Sequence, residues 1–141
     1  MTLIQALLIA LVAALGQAAG DIGGNVMVNR PIVLAPIVGA ILGDLQQGLT
    51  MGAALELIFL GVVSIGGATP SDANMGSVLG TAFAMSMHQG VEIALALAVP
   101  IGILQQMVKY LVYFFRATTM HKVEEFAEAG DFGKITRFHF G

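Results

Sequence analysis

Glu56 is the ionisable residue that stands out first, because it lies near the middle of the apolar segment Gly48–Ile65. A carboxylate at mid-span costs roughly 2.5 kcal/mol or more to insert into a bilayer, so it usually faces a cavity, a partner or a substrate. Its oxygens can accept hydrogen bonds from sugar hydroxyls or pair with a Lys or Arg of another chain. A protonated carboxyl group that is hydrogen-bonded inside a helix bundle explains the sequence equally well.

A second group of polar residues lies in Gly66–Asn74, which breaks otherwise apolar sequence and contains Ser71, Asp72 and Asn74. Irregular backbone inside a membrane protein occurs where protein buries it or where a water-filled cavity adjoins it. Short, interrupted apolar segments near such a break indicate a transporter binding site. Hydroxyl, carboxylate and amide groups suit an uncharged polyhydroxy ligand. A solvent-exposed loop, with Pro70 and Asp72 as turn residues, is slightly favoured on physical grounds alone.

His88 and Gln89 form a third candidate group, at the point where the fourth apolar segment ends. Either side chain can bind a ligand, and His88 can also carry a proton near neutral pH. The commoner role of a single histidine at such a place is an interfacial cap. The sequence leaves both roles open for these two residues.

Patterns that would carry covalent or metal chemistry are missing from the sequence. There is no cysteine, which excludes disulfides, thiolate metal ligands and cysteine nucleophiles. There is also no phosphate-binding glycine loop ending in lysine, no metal-spaced histidine cluster and no Ser-His-Asp arrangement. We therefore expect no catalytic residue, no metal site and no cofactor in this chain.

The composition is typical of a protein that resides in a membrane. Hydrophobic residues make up 57% of the 141 residues and charged residues 11%, against about a quarter charged in globular domains. A soluble domain of this size has too much surface for its volume to bury so much apolar area. The few charges before Arg116 are scattered, which argues against a nucleic-acid partner. We predict a membrane domain over residues 1–115 and a cytoplasmic or interfacial tail over residues 116–141.

Five apolar segments precede a C-terminal tail. They are Leu3–Ala19, Pro31–Gly43, Gly48–Ile65, Met75–Met87 and Val91–Phe115, and the tail helix covers Arg116–Ala129. The first, third and fifth are long enough to span a bilayer, whereas the second and fourth are too short to cross alone. The sequence therefore predicts an all-α integral membrane protein, a helical bundle with short re-entrant or broken helices and a C-terminal amphipathic helix.

Proline and glycine positions refine this picture. Pro31 suits the first position of a helix, so Asn29 or Arg30 lies near the cap of the second segment. Pro36 is expected to interrupt that segment, and Pro100 to kink the fifth. Glycines spaced four apart recur in four segments, which favours tight packing between helices. These pairs are Gly16/Gly20, Gly39/Gly43, Gly48/Gly52 and Gly76/Gly80.

The order and spacing of several short motifs match a known family over nearly the whole chain. The motifs are Asn29-Arg30-Pro31, Val38–Asp44 with Gly48, Gly52–Glu56 followed by Leu60-Gly61, Ile65–Ala68 with Pro70 and Asp72, His88-Gln89 and the Pro100 segment. With these motifs the chain resembles the IIC subunit of mannose-type phosphoenolpyruvate-dependent phosphotransferase permeases, a family that includes sorbose and N-acetylgalactosamine types. Members of this family are usually much longer, so the resemblance covers part of their length.

The resemblance implies a sugar-translocating subunit in the bacterial cytoplasmic membrane. An IIC subunit pairs with a second membrane subunit, IID, and soluble IIA and IIB domains relay phosphate to a hexose, ketose or amino-hexose as it is released inside. IIC carries no phosphorylated residue and is not an enzyme by itself. By this resemblance six residues are candidates for the sugar-facing region: Glu56, Ser64, Asp72, Asn74, His88 and Gln89.

Two other functions fit the same sequence. A secondary transporter or proton-coupled channel would use Glu56 and His88. A structural or degenerate subunit would only pack against a partner in an oligomeric complex. Whichever function applies, the predicted topology is the same. Most of the basic residues, including Arg116 and Lys122, follow the last span, which predicts a cytoplasmic C-terminus.

Overall fold

A computed structural model describes residues 2–22, 27–62 and 71–128 of the chain. Within these ranges the backbone is helical apart from turns, and it contains no strand. The α-helices are α1 (Leu3–Ile22), α2 (Pro31–Leu42), α3 (Leu45–Phe59), α4 (Ala73–Ser86) and α5 (Val91–Glu128), and a short 3-10 helix covers Met27–Asn29. The all-α class predicted from the sequence is therefore confirmed.

Helices α2 and α3 form a hairpin that closes at Gly43 and Asp44. Helix α2 begins at Pro31 with Arg30 as its N-cap residue, as predicted, and it ends where Gly43 adopts a φ of 94°. This left-handed conformation favours glycine, which has no Cβ. The helix continues through Pro36, so the expected interruption is wrong: the proline removes one backbone hydrogen bond without ending the helix.

The hairpin is held together by direct backbone contact between two glycines. A Cβ atom on Gly39 would lie 2.7 Å from the Cα atom of Gly48, and a Cβ atom on Gly48 would lie 2.8 Å from the carbonyl oxygen of Ala35. The prediction that glycines permit close helix packing is confirmed at these positions. Gly43 is different, because no atom lies within 4 Å of its would-be Cβ, and it serves the turn instead.

The third apolar segment is shorter as a helix than predicted. Helix α3 runs from Leu45 to Phe59 and has 15 residues, so it measures about 22 Å, against a hydrocarbon core of about 30 Å. The expectation that Gly48–Ile65 forms a spanning helix was therefore wrong. Of the described helices, α5 is the one long and apolar enough to cross a membrane, over Val91–Ala117, and the apolar parts of α1 and α2 are shorter.

The chain divides into two compact units, Met1–Gln106 and Met107–Gly141. The core of the first unit consists of small apolar clusters between helices. Leu34, Val38 and Val78 meet residues of α1 in one of them, and Leu55, Phe59 and Ala98 form another. In the second unit, the described side chains of residues 107–117 are exposed except that of Lys109, and most of them are apolar. Helix α5 is continuous from residue 91 to residue 128, so the predicted boundary between residues 115 and 116 is not marked by a helix end.

Candidate functional site

Within the first unit, consecutive helices run antiparallel and so create two distinct ends. Phe59 at the end of α3 lies against Gly76 in the first turns of α4, whereas the Gln47 amide at the start of α3 donates to the Gln89 carbonyl beyond α4, at 2.9 Å. We call the first of these the Asp72 end and the second the Gln89 end. Helix α4 has 14 residues, so the two ends are separated by about 21 Å along its axis.

Glu56 lies towards the Asp72 end and forms an ion pair with Arg30 of the same chain. The Oε1 atom of Glu56 accepts hydrogen bonds from Nε of Arg30, at 2.7 Å, and from one of its terminal nitrogens. The Oε2 atom accepts from the backbone N–H of Ile32, at 3.2 Å, in the first turn of α2. Arg30 makes no side-chain cap bond itself, so the Glu56 carboxylate caps α2 as well as neutralising Arg30.

The partner of Glu56 was missed from the sequence, although a signal for it existed. Gly43 lies midway between Arg30 and Glu56 in the sequence. Two antiparallel helices joined at Gly43 therefore bring the start of α2 beside the later turns of α3. One of the alternatives left open by the sequence was an ion pair between Glu56 and a Lys or Arg of another chain, whereas the structure pairs Glu56 with Arg30 of the same chain.

Asp72 caps the first turn of α4 and ties it to α5. Its Oδ1 atom accepts from the backbone N–H of Met75 at 3.0 Å, and its own N–H donates to the carbonyl of Gly102 at 3.0 Å. The helix thus begins at Ala73, so the predicted polar break ends at Asp72 and does not extend to Asn74. Asp72 is only 5% exposed, and this burial excludes the solvent-exposed loop for the described part of the break.

Asn74 connects α4 to α1. Its amide nitrogen donates to the carbonyl of Ala13 at 3.4 Å and to the side-chain oxygen of Gln17 at 3.5 Å. The approach requires Gly16, since a Cβ atom there would lie 2.9 Å from the Oδ1 atom of Asn74. Gln17 was not among the sequence candidates. It could have been noticed as a polar residue near the end of an otherwise apolar segment.

Three buried oxygen atoms in α4 and the residues just before it have no hydrogen-bond partner among the described residues. They are Oγ of Ser71, Oδ1 of Asn74 and Oγ1 of Thr81, and all three residues are at most 7% exposed. A buried polar atom without a partner costs roughly 1–3 kcal/mol, so such atoms are uncommon in native proteins and call for an explanation. A ligand or water that supplies donors to these oxygens would remove the cost.

His88 and Gln89 lie at the Gln89 end, where they terminate α4. The N–H of His88 donates to the carbonyl of Met85 at 3.0 Å, and that of Gln89 donates to the carbonyl of Ala84 at 2.8 Å. This pair of bonds is the Schellman motif, in which the residue at the position of His88 is left-handed, and His88 has a φ of 54°. The capping role that the sequence left open for His88 is therefore present, and its side chain is exposed.

A shallow groove of about 300 Å³ adjoins these residues at the Gln89 end. It is lined by Asp44, Gln46, Gln47, Thr50, Gly90 and Val91. Asp44 caps α3 through a hydrogen bond from the Gln47 N–H at 2.9 Å, so α3 begins at Leu45 and not at Gly48 as predicted. The polar groups of this groove are partly used within the chain, since the Gln47 side chain donates to the Gln89 carbonyl and the Thr50 hydroxyl donates to the Gln46 carbonyl.

The structure therefore separates the six sequence candidates into two groups. Glu56, Asp72 and Asn74 lie at the Asp72 end, and His88 and Gln89 lie about 21 Å away at the other end of α4. Ser64 lies outside the described residues. Among the described residues, no group of three or more His, Cys, Asp or Glu side chains could hold a metal ion.

Comparisons with known proteins agree on one family. The family model described as the sorbose-specific IIC component of the phosphotransferase system matches residues 3–141. The mannose-specific EIIC component of Escherichia coli strain K12 is 31% identical over 79% of this chain and 42% of its own length. The sorbose-specific EIIC component of Klebsiella pneumoniae is 30% identical over the same shares of the two chains.

A solved structure has the same fold as this chain. It is a cryo-EM structure of the mannose transporter ManYZ in complex with microcin E492, and it superposes with a TM-score of 0.80 at 29% identity. The match covers 99% of this chain and 56% of that one. The chain thus spans about half the length of the relatives that it matches.

Proposed function

Because this chain belongs to the sorbose-specific IIC component family of the phosphotransferase system, we propose that it forms part of the sugar pathway of a phosphoenolpyruvate-dependent permease. The substrate would be a hexose, ketose or amino-hexose. The observation that carries this proposal is the Asp72 end, where buried polar side chains with unused acceptors lie in an otherwise apolar helix bundle.

The chemistry of the Asp72 end fits a neutral, hydroxyl-rich ligand. Sugar hydroxyls donate hydrogen bonds, and Ser71 and Asn74 offer buried oxygens that accept none from the described residues. The Arg30–Glu56 pair is neutral as a unit, so it adds hydrogen-bonding groups without a net charge. Ser64, Asp72 and Glu56 complete the proposed sugar-facing set. His88 and Gln89 are proposed to lie outside it, because one hexose cannot bridge about 21 Å.

The partners proposed for this chain follow from its family and from its surface. An IID subunit would complete the membrane channel, and soluble IIA and IIB units would supply phosphate. The exposed apolar side chains from Met107 to Phe115 suit either lipid or the helices of such a partner. The chain itself would not phosphorylate the sugar. Its place would be the bacterial cytoplasmic membrane, with the C-terminus on the cytoplasmic side.

The energetic coupling would come from phosphorylation by the partner units. A bound sugar that leaves towards the cytoplasm is phosphorylated there, which removes it from the transport equilibrium and keeps the flow inward. In this scheme the residues of the Asp72 end only bind and release the sugar. Binding by several moderate hydrogen bonds suits that task, because a site that binds too tightly would slow release.

The test is sugar uptake in a bacterial strain that lacks its own mannose-family permease. The chain would be co-expressed with IID, IIA and IIB subunits, and uptake of labelled mannose, sorbose, fructose and N-acetylgalactosamine would be measured. We expect uptake of at least one sugar, appearance of the sugar phosphate, and loss of both when phosphoenolpyruvate synthesis is blocked.

The double variant Glu56→Ala/Asp72→Ala tests the site within the same assay. Its matched control is Asp44→Ala/Glu92→Ala, which removes two exposed acidic residues from the Gln89 end. Uptake should fall at least tenfold in the first variant and stay near normal in the second. Uptake that follows a proton gradient and ignores phosphoenolpyruvate would overturn the proposal in favour of a secondary transporter. Absence of uptake for every sugar, with the subunits assembled, would favour a purely structural subunit.

A further inference from the structure

Both oxygens of the Glu56 carboxylate accept hydrogen bonds from groups at the start of α2. One oxygen accepts twice from the Arg30 guanidinium, and the other accepts from the Ile32 N–H. Both oxygens thus hold the start of α2 against α3. The carboxylate fixes the position of the Arg30 side chain more than it presents acceptors to a ligand.

The Arg30 guanidinium, by contrast, has N–H donors that Glu56 does not use. An arginine side chain carries five N–H donors in a planar fork, and the bonds to Glu56 use Nε and one terminal nitrogen. The other terminal nitrogen bonds to none of the described residues. The Arg30 side chain is 27% exposed, whereas the Glu56 side chain is 16% exposed. The more accessible member of the pair is therefore the one with unused donors.

The ion pair with Glu56 determines which class of ligand Arg30 would bind. Arg30 is the only basic residue before Lys109, and Glu56 neutralises it. A phosphate group would compete with Glu56 for the guanidinium, whereas a neutral hydroxyl group can accept from the free nitrogen while the ion pair stays intact. A lysine could keep the ion pair, but it would not offer the second arm of the fork.

We propose that Arg30 is a sugar-contacting residue, that its free terminal nitrogen donates to ring or hydroxyl oxygens of the substrate, and that Glu56 is the positioning residue that holds it. This inference rests on the proposed function and deepens it. It predicts different behaviour for two substitutions of the pair. Arg30→Lys keeps the charge and loses the donor, whereas the exchange Arg30→Glu/Glu56→Arg restores the pair and moves the guanidinium to α3.

The experiment measures KM, maximal uptake rate and assembly for both variants in the complete complex. For Arg30→Lys we expect the KM for sugar to rise about 10- to 100-fold, as for a lost hydrogen bond to a charged group, with assembly and maximal rate nearly unchanged. The exchange variant should recover assembly relative to Arg30→Glu alone but keep the raised KM. A normal KM in Arg30→Lys, or recovery of KM by the exchange, would assign Arg30 a structural role and overturn the inference.

A second measurement uses the unaltered protein, so it does not depend on variants that fold. Phenylglyoxal modifies accessible arginines, and mass spectrometry separates Arg30 from Arg116, which is exposed on α5. Saturating sugar should slow modification of Arg30 several-fold and leave Arg116 unaffected. Equal labelling with and without sugar, in a complex that takes up that sugar, would contradict the inference alone. A wild-type complex without any uptake would instead contradict the proposed function.

Discussion

The Asp72 end and the Gln89 end contain similar residue types in contrasting surroundings. Asp72 and Asp44 both begin a helix, and each accepts a hydrogen bond from the N–H three residues later, at 3.0 and 2.9 Å. Asp44 is exposed, however, whereas Asp72 is buried between α4 and α5. The two carboxylates make the same local bond but differ in their access to water. Burial, and not residue type or capping geometry, therefore distinguishes the candidate site from an ordinary helix end.

The same contrast holds for the other polar groups. At the Gln89 end, His88 and Gln89 satisfy the last turn of α4 and are open to solvent. At the Asp72 end, Ser71 and Asn74 are buried and retain unused acceptors. Buried polar groups that lack hydrogen-bond partners destabilise the fold. Because Ser71 and Asn74 are such groups, we propose that they are present for function, namely sugar binding.

The largest predicted effect comes from breaking the ion pair at the Asp72 end. Glu56→Ala leaves Arg30 unpaired and α2 without its cap. Because both side chains remain partly exposed, we expect a loss of about 2–3 kcal/mol of stability, somewhat less than the ~3–5 kcal/mol for a fully buried pair. Thermal unfolding in detergent, followed by far-UV circular dichroism, measures it. The matched control Glu92→Ala removes an exposed carboxylate at the other end and should have little effect; an equal loss there would remove the contrast between the ends.

The next effect concerns the backbone contact between Gly39 and Gly48. Gly39→Ala would place a methyl group 2.7 Å from the backbone of α3, so the two helices must move apart. Overpacking of this kind costs about 1–3 kcal/mol. The control is Gly61→Ala, since no described atom lies within 4 Å of the added methyl group. A lowered unfolding temperature in Gly39→Ala alone is expected. If both variants unfold like the wild type, the hairpin is not held by this contact.

The two capping aspartates provide the sharpest test of the contrast. Asp44→Ala and Asp72→Ala each remove one N-cap, which costs about 1 kcal/mol. We expect comparable losses of stability from the caps, but a loss of sugar uptake only in Asp72→Ala. Uptake and unfolding would be measured on the same preparations, so that a change in expression is not mistaken for a change in transport. Equal uptake in the two variants would mean that the buried position of Asp72 serves the fold alone.

Much of the fold could be predicted from the sequence, because apolar segments and helix-starting residues are local signals. Pro31 predicted the start of α2, and the apolar segments located all of the described α-helices. The starts of α3 and α4 were placed too late, at Gly48 and Met75, although Asp44 and Asp72 precede them as N-cap residues. Aspartate favours turns and N-caps for the same reason, an oxygen that accepts from a nearby N–H. Local sequence does not separate the two roles.

The candidate site was predictable only in part. Glu56 and Asp72 were recognised because a carboxylate in apolar sequence is unusual. The Arg30–Glu56 pair depends on the register of the α2–α3 hairpin, and the contact of Asn74 with Gln17 depends on how α1 packs. Such long-range contacts are set by tertiary packing. For the same reason, the family resemblance placed His88 and Gln89 in one sugar-facing set with Asp72, although a whole helix separates them.

The smallest predicted effect on stability is at His88, and it tests the comparison of the two ends with a residue of the Gln89 end. His88 holds a left-handed conformation that costs a residue with a Cβ atom roughly 1 kcal/mol more than glycine, while glycine loses more chain entropy on folding. His88→Gly should therefore raise stability by about 0.5 kcal/mol, whereas His88→Ala should lower it or leave it unchanged. Unfolding temperatures of the two variants measure this difference directly. If uptake fell in both variants while the helix end stayed intact, the imidazole itself would be required, and the sugar path would have to extend to the Gln89 end.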